Sequence, residues 1–294
     1  MQAPIAPQPA PARIVFSHAN SFPAGTYRVL FERLRQLGYR VAALDKFGHD
    51  PAYPVSSNWP HLVQQLADFV LRQYPGAAER GTPLYLVGHS LGGYLSLMCA
   101  AKHPLLGGQP IAGVVLLDSP LLSGWRARAL QAAKQTRLIG AVSPGQVSRK
   151  RRNSWASAEE ALTHFAHKKA FARWDPRVLR DYIAHGTHEV ATAQGSKRVL
   201  GFEREIETAI YNTLPDHFDR LLRRHPLACP LAFIGGSASV ELRQVGMALT
   251  HKLVGSTPSA RLQTLEGSHL FPMECPEQSA AAIALALRSF AGGT

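Results

Sequence analysis

The sequence of 294 residues is poor in cysteine. Cys99, Cys229 and Cys275 lie far apart in the chain, and no CxxC pair occurs. This pattern favours neither a disulfide framework nor a zinc site, and it fits a reducing compartment. A chain of this length buries a large fraction of its surface, so its core requires neither kind of cross-link.

Long apolar runs are absent as well. No stretch approaches the roughly 18 apolar residues that a membrane-spanning helix needs. Residues 1–11 are rich in proline and alanine, but they contain neither the basic nor the apolar region of a signal peptide. We therefore expect a disordered leader over residues 1–12 and a soluble, cytoplasmic protein without an integral membrane segment.

Acidic residues are few relative to basic ones. Aspartate and glutamate number 20 against 32 lysines and arginines, which gives a net charge of +12. The densest basic cluster, residues 149–152, has no interleaved aromatic residues and no nucleic-acid-binding signature around it. We expect a solvated basic face and no nucleic-acid partner, with attraction of anionic substrates or lipid surfaces as the lesser alternative.

What the sequence does contain is a regular alternation of short apolar runs and longer amphipathic stretches. Strands are predicted at residues 13–18, 39–44, 83–87, 113–117, 230–234 and 260–265, and helices at 25–37, 59–74, 91–103, 241–253 and 276–290. This alternation is typical of the α/β class, in which helices cover a mostly parallel sheet.

The alternation stops between residues 121 and 226. That stretch has a helical pattern, contains no run typical of a buried strand, and is too long for a loop. We predict a core formed by residues 13–120 and 227–294, and a helical cap or lid formed by residues 121–226. Most aromatic residues of the cap are expected to form its own core, and a minority to line a ligand pocket.

One motif carries chemistry. Gly88-His89-Ser90-Leu91-Gly92 stands directly between an apolar strand and a helix. Glycines at its ends allow a tight turn that lifts the Ser90 hydroxyl clear of the sheet and directs the first helical amides at a bound carbonyl group. Ser90 is therefore the predicted nucleophile, and its flanking elements disfavour a chance GxSxG match.

With these flanks, residues 87–93 resemble the nucleophile elbow of the α/β-hydrolase superfamily. Residues 18–23 resemble that family's His-Gly-x loop, and residues 267–276 resemble its terminal catalytic-histidine segment, all in the family's chain order. The predicted cap also lies where the family places one. The resemblance implies the α/β-hydrolase fold and an esterase- or lipase-like serine hydrolase that needs no cofactor and no metal.

A serine hydroxyl needs a base within hydrogen-bond reach, and the sequence offers 13 histidines. His269 follows the last predicted strand in a loop on the same edge of the sheet as Ser90, where functional side chains concentrate. The resemblance assigns it the role of base. His18 and His89 adjoin motifs at positions that the family uses structurally, so we interpret them as packing or supporting groups.

The acid of the triad is missing from its usual position. Most of the family has an aspartate after the seventh strand, where this sequence has Ala238 and Ser239. Asp118 is the predicted replacement, because some members carry the acid at the end of the preceding strand. Glu241 is the second choice, since an acidic residue there suits a helix start, and Asp216 in the cap is the third. A dyad without acid, and a loop-capping role for Asp118, stay open.

The oxyanion hole requires two donors aimed at the developing negative charge. The resemblance assigns the backbone amide of Leu91 and that of Asn20 to this role. Ala19 departs from the family, which usually has glycine there. The side-chain amide of Asn20 is a further candidate donor.

These residues predict an enzyme that cleaves a carboxylic ester or related acyl bond of a small-molecule substrate. The same triad can also serve carbon–carbon, thioester or amide hydrolysis, or acyl transfer. A ligand receptor on the same fold and a nucleic-acid-binding module are the alternatives of other classes. Haloalkane dehalogenases and epoxide hydrolases are disfavoured, because both need a carboxylate where Ser90 stands. The substrate and the oligomeric state, a homodimer included, stay open.

Overall fold

The computed structural model of the protein describes residues 11–75, 81–136, 145–193, 195–255 and 261–291. The predicted disordered leader lies outside the described residues, except for its last two. Within the described ranges, every helix is too short or too polar to span a bilayer.

Ten strands and thirteen α-helices are found in these ranges. The strands are β1 (Arg13–Ser17), β2 (Arg40–Ala43), β3 (Leu84–His89), β4 (Leu105–Leu106), β5 (Gln109–Leu117), β6 (Ser154–Trp155), β7 (Thr187–Thr192), β8 (Gly195–Leu200), β9 (Leu231–Gly236) and β10 (Arg261–Leu265). The helices are α1 (Arg28–Gln36), α2 (Pro60–Gln73), α3 (Leu91–Lys102), α4 (Gly124–Gln135), α5 (Gly145–Lys150), α6 (Ala158–Ala166), α7 (Pro176–Gly186), α8 (Arg204–Asn212), α9 (Phe218–Arg224), α10 (Val240–Val245), α11 (Ala248–Gly255), α12 (Phe271–Glu274) and α13 (Pro276–Ala291). A short 3-10 helix precedes α1 at Ala24–Tyr27.

The central sheet has the order β10-β9-β5-β3-β1-β2, and these strands pair in parallel. β4 adds a short antiparallel pairing to β5. In β1, β3 and β9 every residue is buried, because helices cover both faces of a parallel sheet. The predicted α/β-hydrolase fold, with a mostly parallel sheet flanked by helices, is confirmed.

Two hydrophobic clusters lie on the two faces of the sheet. Successive residues of a strand point to opposite faces, so Val15 packs into one cluster while Ile14 and Phe16 pack into the other. One cluster includes α2 and α3, and the other includes α1 and α13. Helices thus pack on both faces of the sheet, and this packing determines where the carboxyl ends of its strands lie.

The predicted helix at residues 241–253 is two helices. The chain leaves α10 at Gly246, whose φ of 79° is left-handed, and α11 begins two residues later. Glycine adopts this conformation without a steric penalty, and it ends a helix for that reason.

The region inserted between β5 and β9 is not purely helical, and the prediction of a helical cap is wrong in this respect. Its strands β6, β8 and β7 form an antiparallel sheet of their own. β7 is exposed over most of its length and β8 over its first half, so they lack the apolar residues that mark a strand in the sequence. The aromatic residues Trp155, Phe165, Trp174 and Tyr182 are buried together, but their cluster is shared with the parallel-sheet core, from which Phe22 packs against Trp174 and Tyr182.

Candidate active site

The turn between β3 and α3 presents Ser90 at the edge of the sheet. Ser90 is half-buried and has φ 54° and ψ −114°, a backbone conformation that residues other than glycine rarely adopt. Its backbone amide donates to the carbonyl of Leu117, the last residue of β5. The nucleophile predicted from the sequence therefore lies at the carboxyl end of the two central strands.

Glycine is required on both sides of Ser90. A Cβ atom on Gly88 would lie 2.1 Å from the carbonyl oxygen of Gly92, and one on Gly92 would lie 1.9 Å from that of Ser17. Both distances are far below van der Waals contact. The turn can therefore be this tight only because neither position carries a side chain.

The structure brings three predicted site residues into one hydrogen-bonded series. His269 Nε2 lies 3.0 Å from Ser90 Oγ, and His269 Nδ1 lies 2.8 Å from Asp118 Oδ1. A carboxylate only accepts, so Nδ1 carries the proton and Nε2 is free to accept one from the serine hydroxyl. This is the arrangement of nucleophile, base and orienting acid found in serine hydrolases.

Asp118 is the carboxylate that contacts the histidine. Its side chain is fully buried, and it also accepts hydrogen bonds from the Gly236 amide (2.6 Å) and the Ser239 hydroxyl (2.7 Å). The amide of Asp118 donates to Ile234 on the neighbouring strand β9. The pairing of β5 with β9 thus holds this side chain beside the loop after β9, which contains Ser239.

The other two candidate acids lie elsewhere. Glu241 Oε2 is 4.0 Å from His269 Nδ1, its side chain is 46% exposed, and it occupies the first turn of α10 as expected. Asp216 forms a buried ion pair of 2.6 Å with Lys134 of the inserted region. Neither carboxylate hydrogen bonds the histidine ring.

The electrostatics of His269 follow from these neighbours. Burial lowers its pKa, but the hydrogen bond and charge of Asp118, together with the charge of Glu241, more than offset that effect. The net result is a pKa above the ordinary 6.5. The carboxylates therefore favour the imidazolium form, which is the form that a general base must reach during catalysis.

His18 and His89 are buried supporting groups, in agreement with the interpretation of the sequence. His18 Nδ1 lies 2.8 Å from the Ala19 carbonyl, while its Nε2 accepts from the Phe47 amide at 3.0 Å. Burial lowers the pKa of His18 to about 4. It is therefore neutral at physiological pH and ties the loop after β1 to the loop after β2.

The residues proposed for the oxyanion hole lie beside Ser90. Leu91 and Asn20 line the same cavity as Ser90, and among the described residues no protein acceptor is assigned to either backbone amide. The Asn20 side-chain Nδ2 donates one of its two N–H groups to the Glu207 carbonyl at 3.1 Å. This hydrogen bond attaches the loop after β1, which contains Asn20, to α8 of the inserted region.

Two cavities meet at Ser90 and His269. The smaller has a volume of about 300 Å³ and is lined by Trp59, Leu91, Tyr94, Pro120, Leu122, Ile210, Leu214 and Val245, with Tyr211, Gln244 and Glu241. The larger, of about 650 Å³, includes the charged side chains Lys169, Arg173, Glu241 and Glu274 and the loop residues Ser268 and Leu270. Both cavities have mostly apolar walls, and the larger one contains three charged side chains that the smaller one lacks.

Sequence reasoning missed two residues of this site. Ser239 stands where the usual acid was sought, and its hydroxyl holds the replacement acid in place. Tyr211 contributes to both cavities. Each contact joins segments that are far apart in the chain, so spacing alone gives no signal for either residue.

Comparison with known proteins agrees with the fold and the motifs. A sequence model of the alpha/beta hydrolase family matches residues 14–282, a span that contains the whole parallel sheet apart from its first residue, and the hydrogen-bonded series at Ser90. The chain belongs to the alpha/beta hydrolase family.

Curated relatives match part of the chain. The monoglyceride lipase of Rattus norvegicus is 27% identical over 145 residues, which cover 47% of this chain and 45% of that enzyme. The monoglyceride lipase homolog of Monkeypox virus is 26% identical over 180 residues, 58% of this chain and 63% of that protein. The matches thus span less than two thirds of either relative.

Solved structures match nearly the whole chain. The peroxisomal alpha-beta-hydrolase Lpx1 of Saccharomyces cerevisiae has a TM-score of 0.70 at 14% identity, covering 96% of this chain and 79% of its own. An esterase of M. tuberculosis has a TM-score of 0.64 at 20% identity, covering 95% and 86%. At these identities the likeness shows the fold.

Proposed function

We propose that this protein is a serine hydrolase that cleaves a carboxylic ester, or a related acyl bond, of a small molecule through an acyl-enzyme on Ser90. The observation that carries the proposal is the hydrogen-bonded series from Ser90 Oγ through the His269 ring to Asp118 Oδ1. Relatives named as monoglyceride lipases and an esterase support the same class of reaction.

In the first half-reaction, Ser90 Oγ attacks the acyl carbon while its proton passes to His269 Nε2. The imidazolium that forms is stabilised by buried Asp118, which keeps its negative charge. The carbonyl oxygen becomes an oxyanion, and the amides of Leu91 and Asn20 are the proposed donors to it. His269 then gives the proton to the leaving oxygen, and the ester C–O bond breaks.

In the second half-reaction, water takes the position of the leaving group. His269 Nε2 accepts a proton from the water as its oxygen attacks the acyl carbon, and the proton then passes to Ser90 Oγ when the acyl–enzyme bond breaks. The products are the carboxylic acid and the regenerated hydroxyl of Ser90.

The two cavities define the orientation that we propose for the substrate. The leaving oxygen must face His269 Nε2, which protonates it, and the larger cavity contains the loop residues on both sides of His269. The leaving group therefore occupies the larger cavity, which contains Lys169 and Arg173, and the acyl chain occupies the smaller one, which has fewer charged side chains in its walls.

A fluorophosphonate probe and a panel of p-nitrophenyl esters from acetyl to hexadecanoyl test the proposal. We expect covalent labelling and turnover, both lost in Ser90→Ala, with hydrolysis falling by about 10⁴-fold or more. Ser96→Ala is the matched control, because Ser96 is a buried serine of the same helix α3 and should leave labelling unchanged. Turnover of thioesters or amides, but not of esters, would change the proposed substrate class. If the wild-type protein shows neither labelling nor turnover, the proposed function is refuted.

A further inference from the structure

A second hydrogen-bonded series, behind the site, joins the two loops that flank Ser90. The Ala19 backbone amide donates to the Tyr27 hydroxyl at 3.0 Å, and this hydroxyl lies 2.7 Å from His89 Nδ1. His89 Nε2 lies 2.9 Å from the backbone carbonyl of His269. Ala19, Tyr27 and His89 are buried, with exposed fractions of 3%, 1% and 0%.

We propose that Tyr27 and His89 are positioning residues that hold the oxyanion loop and the catalytic-histidine loop at a fixed separation. This inference depends on the proposed function, because it assigns a role to these residues in the reaction at Ser90. Neither side chain lines either of the two cavities at Ser90, so neither touches the substrate. They act through the backbone of Asn20, which follows Ala19, and of His269.

We call the series from the Ala19 amide through Tyr27 and His89 to the His269 carbonyl the bridge. The two backbone groups at its ends determine the direction of every hydrogen bond in it. The His269 carbonyl only accepts, so His89 Nε2 carries the proton and Nδ1 is an acceptor. The Tyr27 hydroxyl therefore donates its proton to Nδ1, and a lone pair of its oxygen accepts from the Ala19 amide. No other assignment of protons satisfies all four groups.

The bridge requires a neutral His89, and its surroundings provide one. Burial, with the charge of His269 as a second cause, lowers the pKa of His89 well below 6.5. A protonated Nδ1 would leave the Tyr27 proton without this acceptor in a buried place, which is costly. The groups of the bridge therefore have a single arrangement of protons at physiological pH.

The bridge joins parts of the fold that the sheet does not join directly. The loop with Ala19 follows β1, and the loop with His269 follows β10, with β3, β5 and β9 between them in the sheet. A shift of either loop changes the distance between the oxyanion donors and the base. Errors of about 1 Å in such distances cost up to about 10²-fold in rate.

Tyr27→Phe is the sharpest test, because it removes one hydroxyl and keeps the ring. We expect kcat per fluorophosphonate-titrated site to fall about tenfold or more with KM nearly unchanged, since a buried amide and His89 Nδ1 lose their partner. Tyr39→Phe is the matched control: its hydroxyl lies near the Ala284 carbonyl on α13, away from Ser90. An unchanged kcat in Tyr27→Phe, with only Tm lowered, would overturn the proposal.

Two His89 variants separate positioning from packing. His89→Gln keeps an N–H group at the place of Nε2, whereas His89→Leu keeps none. We expect kcat of the glutamine variant to exceed that of the leucine variant about tenfold, and equal rates would contradict the proposal. If the wild-type protein turns over no ester, ¹⁵N-histidine NMR still tests the bridge: His89 must be neutral and protonated at Nε2, and any other state refutes it.

Discussion

The parallel-sheet core and the inserted region both reach Ser90, but they contribute different things. The core supplies all three residues of the hydrogen-bonded series, each at the carboxyl end of a strand. The inserted region supplies cavity walls, among them Ile210, Leu214 and Lys169. The comparison leads us to infer that the core provides the chemistry and that the insertion contributes to the choice of substrate.

The two regions are held together by apolar and polar contacts. Both hydrophobic clusters include residues of the insertion, and near the site Phe218 of the insertion packs against Tyr94 of the core. Polar contacts add to this, since Lys134 donates to Asn58 and Trp59 Nε1 donates to Thr213. We expect substitutions in the hydrogen-bonded series to change the rate of every reaction, and substitutions in the insertion's part of the cavity walls to change the choice of substrate.

The largest expected effect is a difference in kcat between substitutions of the two carboxylates near His269. Asp118→Asn keeps the shape but disturbs the tautomer of the histidine, and we expect kcat to fall about 10³- to 10⁴-fold. Glu241→Gln should change kcat only a few-fold, because Glu241 is half-exposed and 4.0 Å away. Steady-state kinetics on one ester decide between them, and the reverse ranking would show that the acid is not Asp118.

A smaller effect is expected from the insertion. Leu214→Trp fills part of the smaller cavity, and we expect turnover of long-chain esters to fall about tenfold or more relative to the acetate. Leu162→Trp is the matched control, since Leu162 lies in the insertion but lines neither cavity at Ser90. Equal loss for all chain lengths would mean that this cavity does not hold the acyl chain.

The smallest expected effect is a shift in the pH dependence of kcat/KM. A base must be unprotonated to accept the Ser90 proton, so the acid limb of kcat/KM should rise through a pKa above the ordinary 6.5 of histidine. Removing a negative charge lowers that pKa, so the limb should move to lower pH in Glu241→Gln, and further in whatever activity Asp118→Asn retains. A limb that does not move in Glu241→Gln would exclude any electrostatic role of Glu241.

The core was predictable from the sequence for a physical reason. Strands buried on both faces appear as uninterrupted apolar runs, and the turn at Ser90 needs glycines at fixed spacing. Asp118 was predicted because parallel neighbours end together, and β5 does pair with β9. The exposed sheet of the insertion carries no such pattern, so it was predicted as helix.

Contacts between distant segments could not be predicted. The Asn20 side chain donates one N–H group to the carbonyl of Glu207, 187 residues away, and no pattern in the sequence indicates this contact. The hydroxyl of Tyr27 meets His89 across 62 residues, and that of Ser239 meets Asp118 across 121. Such pairs depend on how helices and loops pack on the sheet, which hydrophobic periodicity alone does not determine.

The backbone at the site has a consequence for how such a protein tolerates change. Ser90 and Asp118, with φ values of 54° and 42°, are two of the five described non-glycine residues in the left-handed half of conformational space. Each such residue costs about 1–3 kcal/mol, and glycine would relieve it. Selection for heat resistance alone would thus replace the two side chains on which the proposed hydrolysis depends, so a library screened for stability must be screened for activity in parallel.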